Sequence, residues 1–219
     1  MYKKQITIGG VPGSGKTTCA HTLSKILDYE FYSVGNLRRK IAKEKLGVNI
    51  NELNFLEEIK SKFNQSIDNF TLNKAQKLGI TKKLYPAFKK LNNLDSDKMV
   101  DDEQKELGKN SEKIIIEGRL AWKFCPQSVK FYFDCTLDES AKRIFNDPRV
   151  SEVYSSLEET AFALKKRMDS DMRRYISKYG SEYNAYDYSN FDIIINTTNL
   201  SKNQIVSEVL NNYFKLVES

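Results

Sequence analysis

Histidine is nearly absent from this chain of 219 residues: His21 stands alone, and one imidazole cannot make a metal cluster by itself. Cysteine is scarce too. Cys19, Cys125 and Cys135 are odd in number and show no paired spacing, which argues against a disulfide framework. No stretch approaches the roughly 18 apolar residues of a membrane span. The opening "MYKKQITIGG" passes from charge into an apolar run too short for the core of a signal peptide. The expectation is a cytoplasmic protein with no membrane partner. No Pro-rich or Gly/Ser-rich linker divides the chain and no internal repeat is present, so one domain of ordinary size is expected, with room for a mobile insertion. Clustered charge is also missing. The formal net charge is +6, but the lysines are spread along the whole chain, so a solvated basic surface is the plain reading. Nucleic acid or a pocket for several phosphates would suit the same charge.

What the chain does contain is five short apolar runs: "QITIGG" (5–10), "YEFYSV" (29–34), "KIIIEG" (113–118), "VKFYFDC" (129–135) and "FDIIINT" (191–197). They are near-continuous rather than alternating, as buried parallel strands should be. Helical patterns lie between them. Residues 15–28 put Ala20, Leu23, Ile26 and Leu27 on one stripe. Residues 136–145 open with a Thr able to cap a helix and a Glu three residues on. Residues 155–180 read as one long helix stopped by Gly180, and residues 201–218 as an amphipathic one. Strands alternating with helices predict an open parallel sheet with helices on both faces. Residues 36–111 carry no strong strand and read as lysine-rich amphipathic helices, with 78–98 resembling an insertion. This region is either a plain helical subdomain or a movable substrate-binding cap, and the two readings are compatible.

The strongest chemical signal is "GVPGSGKT", Gly10, Val11, Pro12, Gly13, Ser14, Gly15, Lys16 and Thr17, followed by Thr18. It follows a strand and opens a helix, the context that a phosphate-binding loop requires. The glycines let successive N–H groups curl inward and the helix start adds partial positive charge. Lys16 reaches β- and γ-phosphates, and Thr17 ligates Mg²⁺. The reading is a nucleoside triphosphate site that uses ATP and Mg²⁺. A GTPase should also offer N-K-x-D, which is absent, and a helicase or motor needs more chain than this.

The acceptor side is read from three further stretches. "SVGNLRRKIA" places Ser33 and Arg38 after the second strand; the plain alternative is a helix capped by Ser33 or Asn36 with Arg38 and Arg39 in solvent. "IIIEGRLAW" ends the third strand in Glu117, Gly118 and Arg119. In a parallel sheet the carboxyl ends of neighbouring strands line the ligand crevice, so Ser33, Arg38, Glu117 and Arg119 should gather beside the phosphate loop. Gly118 leaves room for the backbone to turn, and Glu117 is placed to hold a magnesium-bound water. The rival is a buried Glu117–Arg119 pair that only locks the turn. "KKRMDSDMRRY" puts Arg167, Asp171 and Arg174 along one helix face, with Arg173 beside it, and "AKRIFNDPR" adds Arg143 and Arg149. The alternative is a surface helix laced with ion pairs. Arginines clamping a phosphoryl group supply the positioning and electrostatics that its transfer needs. The tyrosine-rich "GSEYNAYDYSNFD" is read as packing, with a stacking surface as the alternative.

The ordered set of phosphate loop, S-x-G-x-x-R, E-G-R-L-A-x, R-x-x-x-D-x-R-R-Y and a last F-D-[LIV]-x-I-x-T strand resembles the cytidylate kinases, especially the archaeal-type branch, over nearly the whole chain apart from about residues 60–96. The resemblance implies a three-layer α/β/α P-loop fold with a five-stranded parallel sheet, forming a single nucleoside monophosphate kinase domain. Its core would be 1–35, 112–137 and 180–219, its helical monophosphate-binding region 36–111 and its lid about 143–176. The implied reaction is ATP-dependent phosphorylation of CMP or dCMP, with an AMP kinase or another small-acceptor kinase as the neighbouring alternative. A nucleotide- or RNA-binding module without efficient transfer is the alternative of another class. By position, Ser33, Arg38, Gly118, Arg119 and Arg167 are implied to bind the monophosphate. Arg143, Arg149, Arg173 and Arg174 are implied to serve the lid or triphosphate, Asp171 to organise its helix and Asp101 to help read the base. Lys16, Arg119, Arg167, Asp171 and Arg174 form the expected catalytic set. Long-form bacterial cytidylate kinases resemble D-G-R-D at the third strand, whereas Leu120 stands here after the arginine. A monomer acting on small molecules, without nucleic acid, is the default expectation.

Overall fold

The computed structural model describes residues 4–62, 67, 70–147 and 154–217. A parallel sheet of five strands, β1 (Gln5–Gly10), β2 (Glu30–Ser33), β3 (Ile114–Glu117), β4 (Val129–Asp134) and β5 (Ile193–Asn196), runs in the order β2-β3-β1-β4-β5. All five apolar runs of the sequence form strands. Burial separates them: β1 and β3 are buried at every residue, while β2 and β5 lie at the sheet edges and keep exposed positions. The expectation of strands buried on both faces thus fails at the edges, where one neighbour is missing and Ile194 is 39% exposed.

Helix α1 (Lys16–Leu27) grows directly out of the loop after β1, and α10 (Lys202–Val217) packs beside it. Ala20 and Leu23 of α1 and Ile205, Val209 and Tyr213 of α10 close over Ile6, Ile8, Ile115, Phe131 and Phe133 of the sheet. Burying apolar area of this kind is the main term holding the layers together. A short helix α7 (Ala121–Phe124) follows β3. Helix α8 (Leu137–Phe145) starts at Thr136, whose hydroxyl accepts the N–H of Glu139, as its sequence predicts. Helix α9 (Leu157–Tyr179) starts at Ser156, capped in the same way by the N–H of Glu159, and stops at Gly180.

The chain divides into two compact units, Met1–Ser33 with Gln104–Ser219, and Val34–Glu103. The second is helical, as its sequence indicates. It holds α2 (Val34–Ile41), which continues through a π-helical turn at Ala42–Leu46, α3 (Ile50–Lys62), α4 (Leu72–Lys77) and α5 (Tyr85–Lys90), and the start of α6 (Ser96–Asn110). It has its own core, centred on Leu53, Leu56, Ile80, Phe88 and Leu91. Among the described residues no helix is long and apolar enough to cross a membrane.

Candidate active site

The loop between β1 and α1 is shaped by contacts that only glycine allows. Gly10 sits at φ 128°, and a Cβ there would lie 2.2 Å from the carbonyl oxygen of Phe133 on β4. Gly13 sits at φ 76°, and its Cβ would lie 2.7 Å from the carbonyl oxygen of Ser140 on α8. Both backbones approach too closely for any side chain. Val11 donates its N–H to Phe133 over 3.1 Å, anchoring the loop to β4. Its own carbonyl accepts from Ser14 Oγ at 2.8 Å and from Lys16 Nζ. Lys16 is therefore folded back onto the loop.

Lys16 is buried, and burial drives its ammonium pKa down from 10.5 to about 8. Glu117 opposes that shift, while Arg119 and Arg167 reinforce it. Lys16 therefore feels all three charges at the carboxyl end of the sheet. Register explains why. Ser33 on β2 lies opposite Glu117 on β3, and Ile8 on β1 lies on the other side of Glu117. Ser33 Oγ donates to Glu117 Oε2 at 2.9 Å, so both residues stand where the sequence puts them.

Arg119 is held by a partner other than its near neighbour. Its Nη2 lies 2.9 Å from Asp171 Oδ2 on α9, and Asp171 Oδ1 also accepts from Arg174 Nη2 at 3.3 Å. Burial disfavours the Arg119 cation, but Asp171 and the neighbouring Tyr186 and Tyr175 more than offset it, holding the guanidinium above its ordinary pKa. The turn-locking Glu117–Arg119 pair is replaced by a link from β3 to α9. Gly118 needs no left-handed backbone; its N–H donates to Ile8 and extends the β1–β3 ladder. The chain turns one residue later, at Arg119 and Leu120. Leu120 is buried with Phe124 and Ala185.

The remaining residues divide. Arg167 is half-buried on α9, and its charge is felt at Lys16. Arg173 is exposed, outside the Arg119–Asp171–Arg174 cluster. Arg143 turns to Glu139 Oε1 (2.8 Å) and to the carbonyls of Thr197 (2.7 Å) and Thr198 (3.1 Å), tying α8 to the segment after β5. Arg149 lies outside the described residues. In the helical unit Arg38 is not in solvent: it pairs with Glu57 and, at 2.8 Å, with Asp97, and Asp101 is buried on α6. Thr17 and Thr18 open the first turn of α1, Thr17 exposed and Thr18 half-buried. Among the described residues no group of three or more His, Cys, Asp and Glu side chains could hold a metal. The side-chain oxygens of the region that could serve a hard cation are the Thr17 hydroxyl and the Glu117 carboxylate. Tyr186, in the tyrosine-rich stretch read as packing, does pack, against Val11, Tyr132 and Phe191 and against Leu120, Phe124 and Ala185; its coupling to the charges of Arg119 and Asp171 had no signal in the sequence.

Residues 5–199 match the cytidylate kinase-like family. The chain belongs to that family. A cytidylate kinase of Methanobrevibacter smithii is 30% identical across 94% of this chain and 95% of its own length. An S-adenosylmethionine-dependent nucleotide dehydratase of Lacinutrix mariniflava is 27% identical across 97% of this chain, which spans 36% of that longer protein. Among solved structures, a gluconokinase from Sinorhizobium meliloti covers 99% of this chain and 95% of its own at TM-score 0.53 and 12% identity, a likeness of fold. By family and fold, this cytidylate kinase-like chain is a P-loop kinase.

Proposed function

We propose that the protein transfers the γ-phosphoryl group of ATP to the phosphate of CMP or dCMP, giving ADP and the diphosphate. The observation that carries this reading is the convergence of Lys16, Arg119 and Arg167 on one end of the sheet, with Asp171 and Glu117 as their counter-charges. Three cations against two carboxylates leave net positive charge for phosphates to neutralise. Similarity to cytidylate kinases supports CMP as the acceptor.

In this reading Gly10 to Thr18 wrap the triphosphate, and Lys16 leaves the Val11 carbonyl for the β- and γ-phosphates. Thr17, and Glu117 through a water, would hold Mg²⁺, which would supply charge neutralisation at the transferring group. Ser33, Arg38, Gly118, Arg119 and Arg167 bind the acceptor phosphate, and Asp101 helps read the base. A phosphate oxygen of the acceptor attacks the γ-phosphorus as the bond to the ADP oxygen breaks. No general base is needed, because that oxygen is already ionised. Positioning and electrostatics supply the catalysis. Arg143, Arg149, Arg173 and Arg174 serve the triphosphate or a closing lid over about 143–176, with 36–111 as the monophosphate-binding part of a single domain.

The test is ADP release with ATP and magnesium across CMP, dCMP, UMP, AMP, GMP and no acceptor. A preference for CMP or dCMP is the expected result. A faster rate with another monophosphate overturns the base assignment, and no rate above the acceptor-free control overturns monophosphate transfer.

A further inference from the structure

Beside the Arg119–Asp171 ion pair, whose oxygen is Asp171 Oδ2, the buried hydroxyl of Tyr186 makes no aligned hydrogen bond. Leaving a buried hydroxyl unsatisfied costs free energy unless a neighbour or a ligand serves it. Tyr186 interacts electrostatically with both members of the pair. Its ring is fixed from two sides. It packs against the cluster of Val11, Tyr132 and Phe191, and against that of Leu120, Phe124 and Ala185. Its N–H donates to Asn184 Oδ1 at 3.0 Å. Burial raises the phenol pKa to about 12, with Arg119 pulling the other way, so the hydroxyl keeps its proton near neutral pH.

We propose that Tyr186 is a positioning residue for Arg119: its hydroxyl accepts a hydrogen bond from the guanidinium, aiming the remaining guanidinium N–H groups at an anionic group of the acceptor. The ligand here is a phosphate-bearing small molecule, so this inference rests on the reading of Arg119 as the acceptor-phosphate contact. A ring that only packs would be replaced without loss by phenylalanine. A hydroxyl that orients a cation would not.

Tyr186→Phe separates the two. The expected result is a rise of about tenfold in the KM for the monophosphate, the scale of one hydrogen bond to a charged group, with the KM for ATP unchanged. A second measurement needs no turnover. The Arg119 Nε–Hε NMR signal, identified by its loss in Arg119→Lys, should exchange with water about fivefold faster or more in Tyr186→Phe. If the wild-type protein transfers phosphate to no monophosphate, the proposed function fails and the exchange rate alone decides the role of Tyr186. Equal exchange rates in wild type and Tyr186→Phe overturn the proposal whatever the kinetics. Equal monophosphate KM values in an active enzyme overturn it too.

Discussion

Lys16 has the clearest pH signature of any side chain in the site. Its pKa is 10.5 when unfolded and about 8 when folded, because burial penalises the ammonium. Between those values the unfolded chain binds more protons than the folded one, so stability rises as pH climbs from 8 toward 10.5 and is lowest, and flat, below 8. Urea unfolding of the wild type and of Lys16→Met should therefore show the stability advantage of the methionine variant shrinking between pH 7.5 and 9.5. Parallel pH profiles would show that Lys16 is not desolvated. The same lysine is expected to be needed for transfer, with Lys16→Ala lowering kcat by about two to three orders of magnitude, the scale of removing a preorganised charge-stabilising donor. Asp171 tests the opposite sign. Asp171→Ala leaves the guanidinium groups of Arg119 and Arg174 facing each other with no carboxylate between them. Denaturant unfolding should show a loss of about 3 kcal/mol, the scale of breaking a largely buried ion pair.

At the scale of elements, the phosphate loop and α8 form one fitted contact. Gly13→Ala would push a Cβ into the backbone of Ser140 as well as strain a left-handed φ. A loss of at least about 2 kcal/mol is expected from the left-handed backbone and the clash together, read by thermal unfolding, and nucleotide affinity should fall with it. Helix caps are the milder test. Ser156→Ala removes the hydroxyl that accepts the N–H of Glu159 and should cost about 1 kcal/mol. Much at this scale was legible in the sequence. The long helix ending at Gly180, the Thr136 cap and all five strands follow from local rules: apolar runs, capping side chains and a glycine stop. The exposure of β2 and β5 was not legible, because an edge strand has the same apolar spelling as a central one.

At the scale of the whole molecule, the helical unit has its own core while the phosphate loop, Glu117, Arg119 and α9 lie in the sheet-bearing unit. If α9 closes over a bound triphosphate and acceptor, a bisubstrate analogue should slow hydrogen exchange of the Leu157–Asp171 amides, with little change in β1 and β3, which are already buried. Unchanged α9 amides would remove the lid from the proposed mechanism. Partner chemistry follows from the same charge. The +6 surface is spread out, so RNA at moderate salt should leave ADP formation unaffected, and a salt-sensitive RNA complex without acceptor-dependent turnover would overturn the kinase reading.

The sequence by itself determined the phosphate loop, the alternation of strands with helices, and the placement of Ser33 and Glu117 at strand ends. Each of these depends on residues close together in the chain. The tertiary structure alone decided that β3 sits between β2 and β1, which brings Glu117 within reach of Lys16. It also decided that the counter-charge of Arg119 is Asp171 rather than Glu117, that Arg143 ties α8 to Thr197, and that the Tyr186 ring packs against the clusters of both Val11 and Leu120. Those pairings join distant segments, and a long-range partner is chosen by packing geometry and by the need to neutralise a buried charge, which no local pattern encodes.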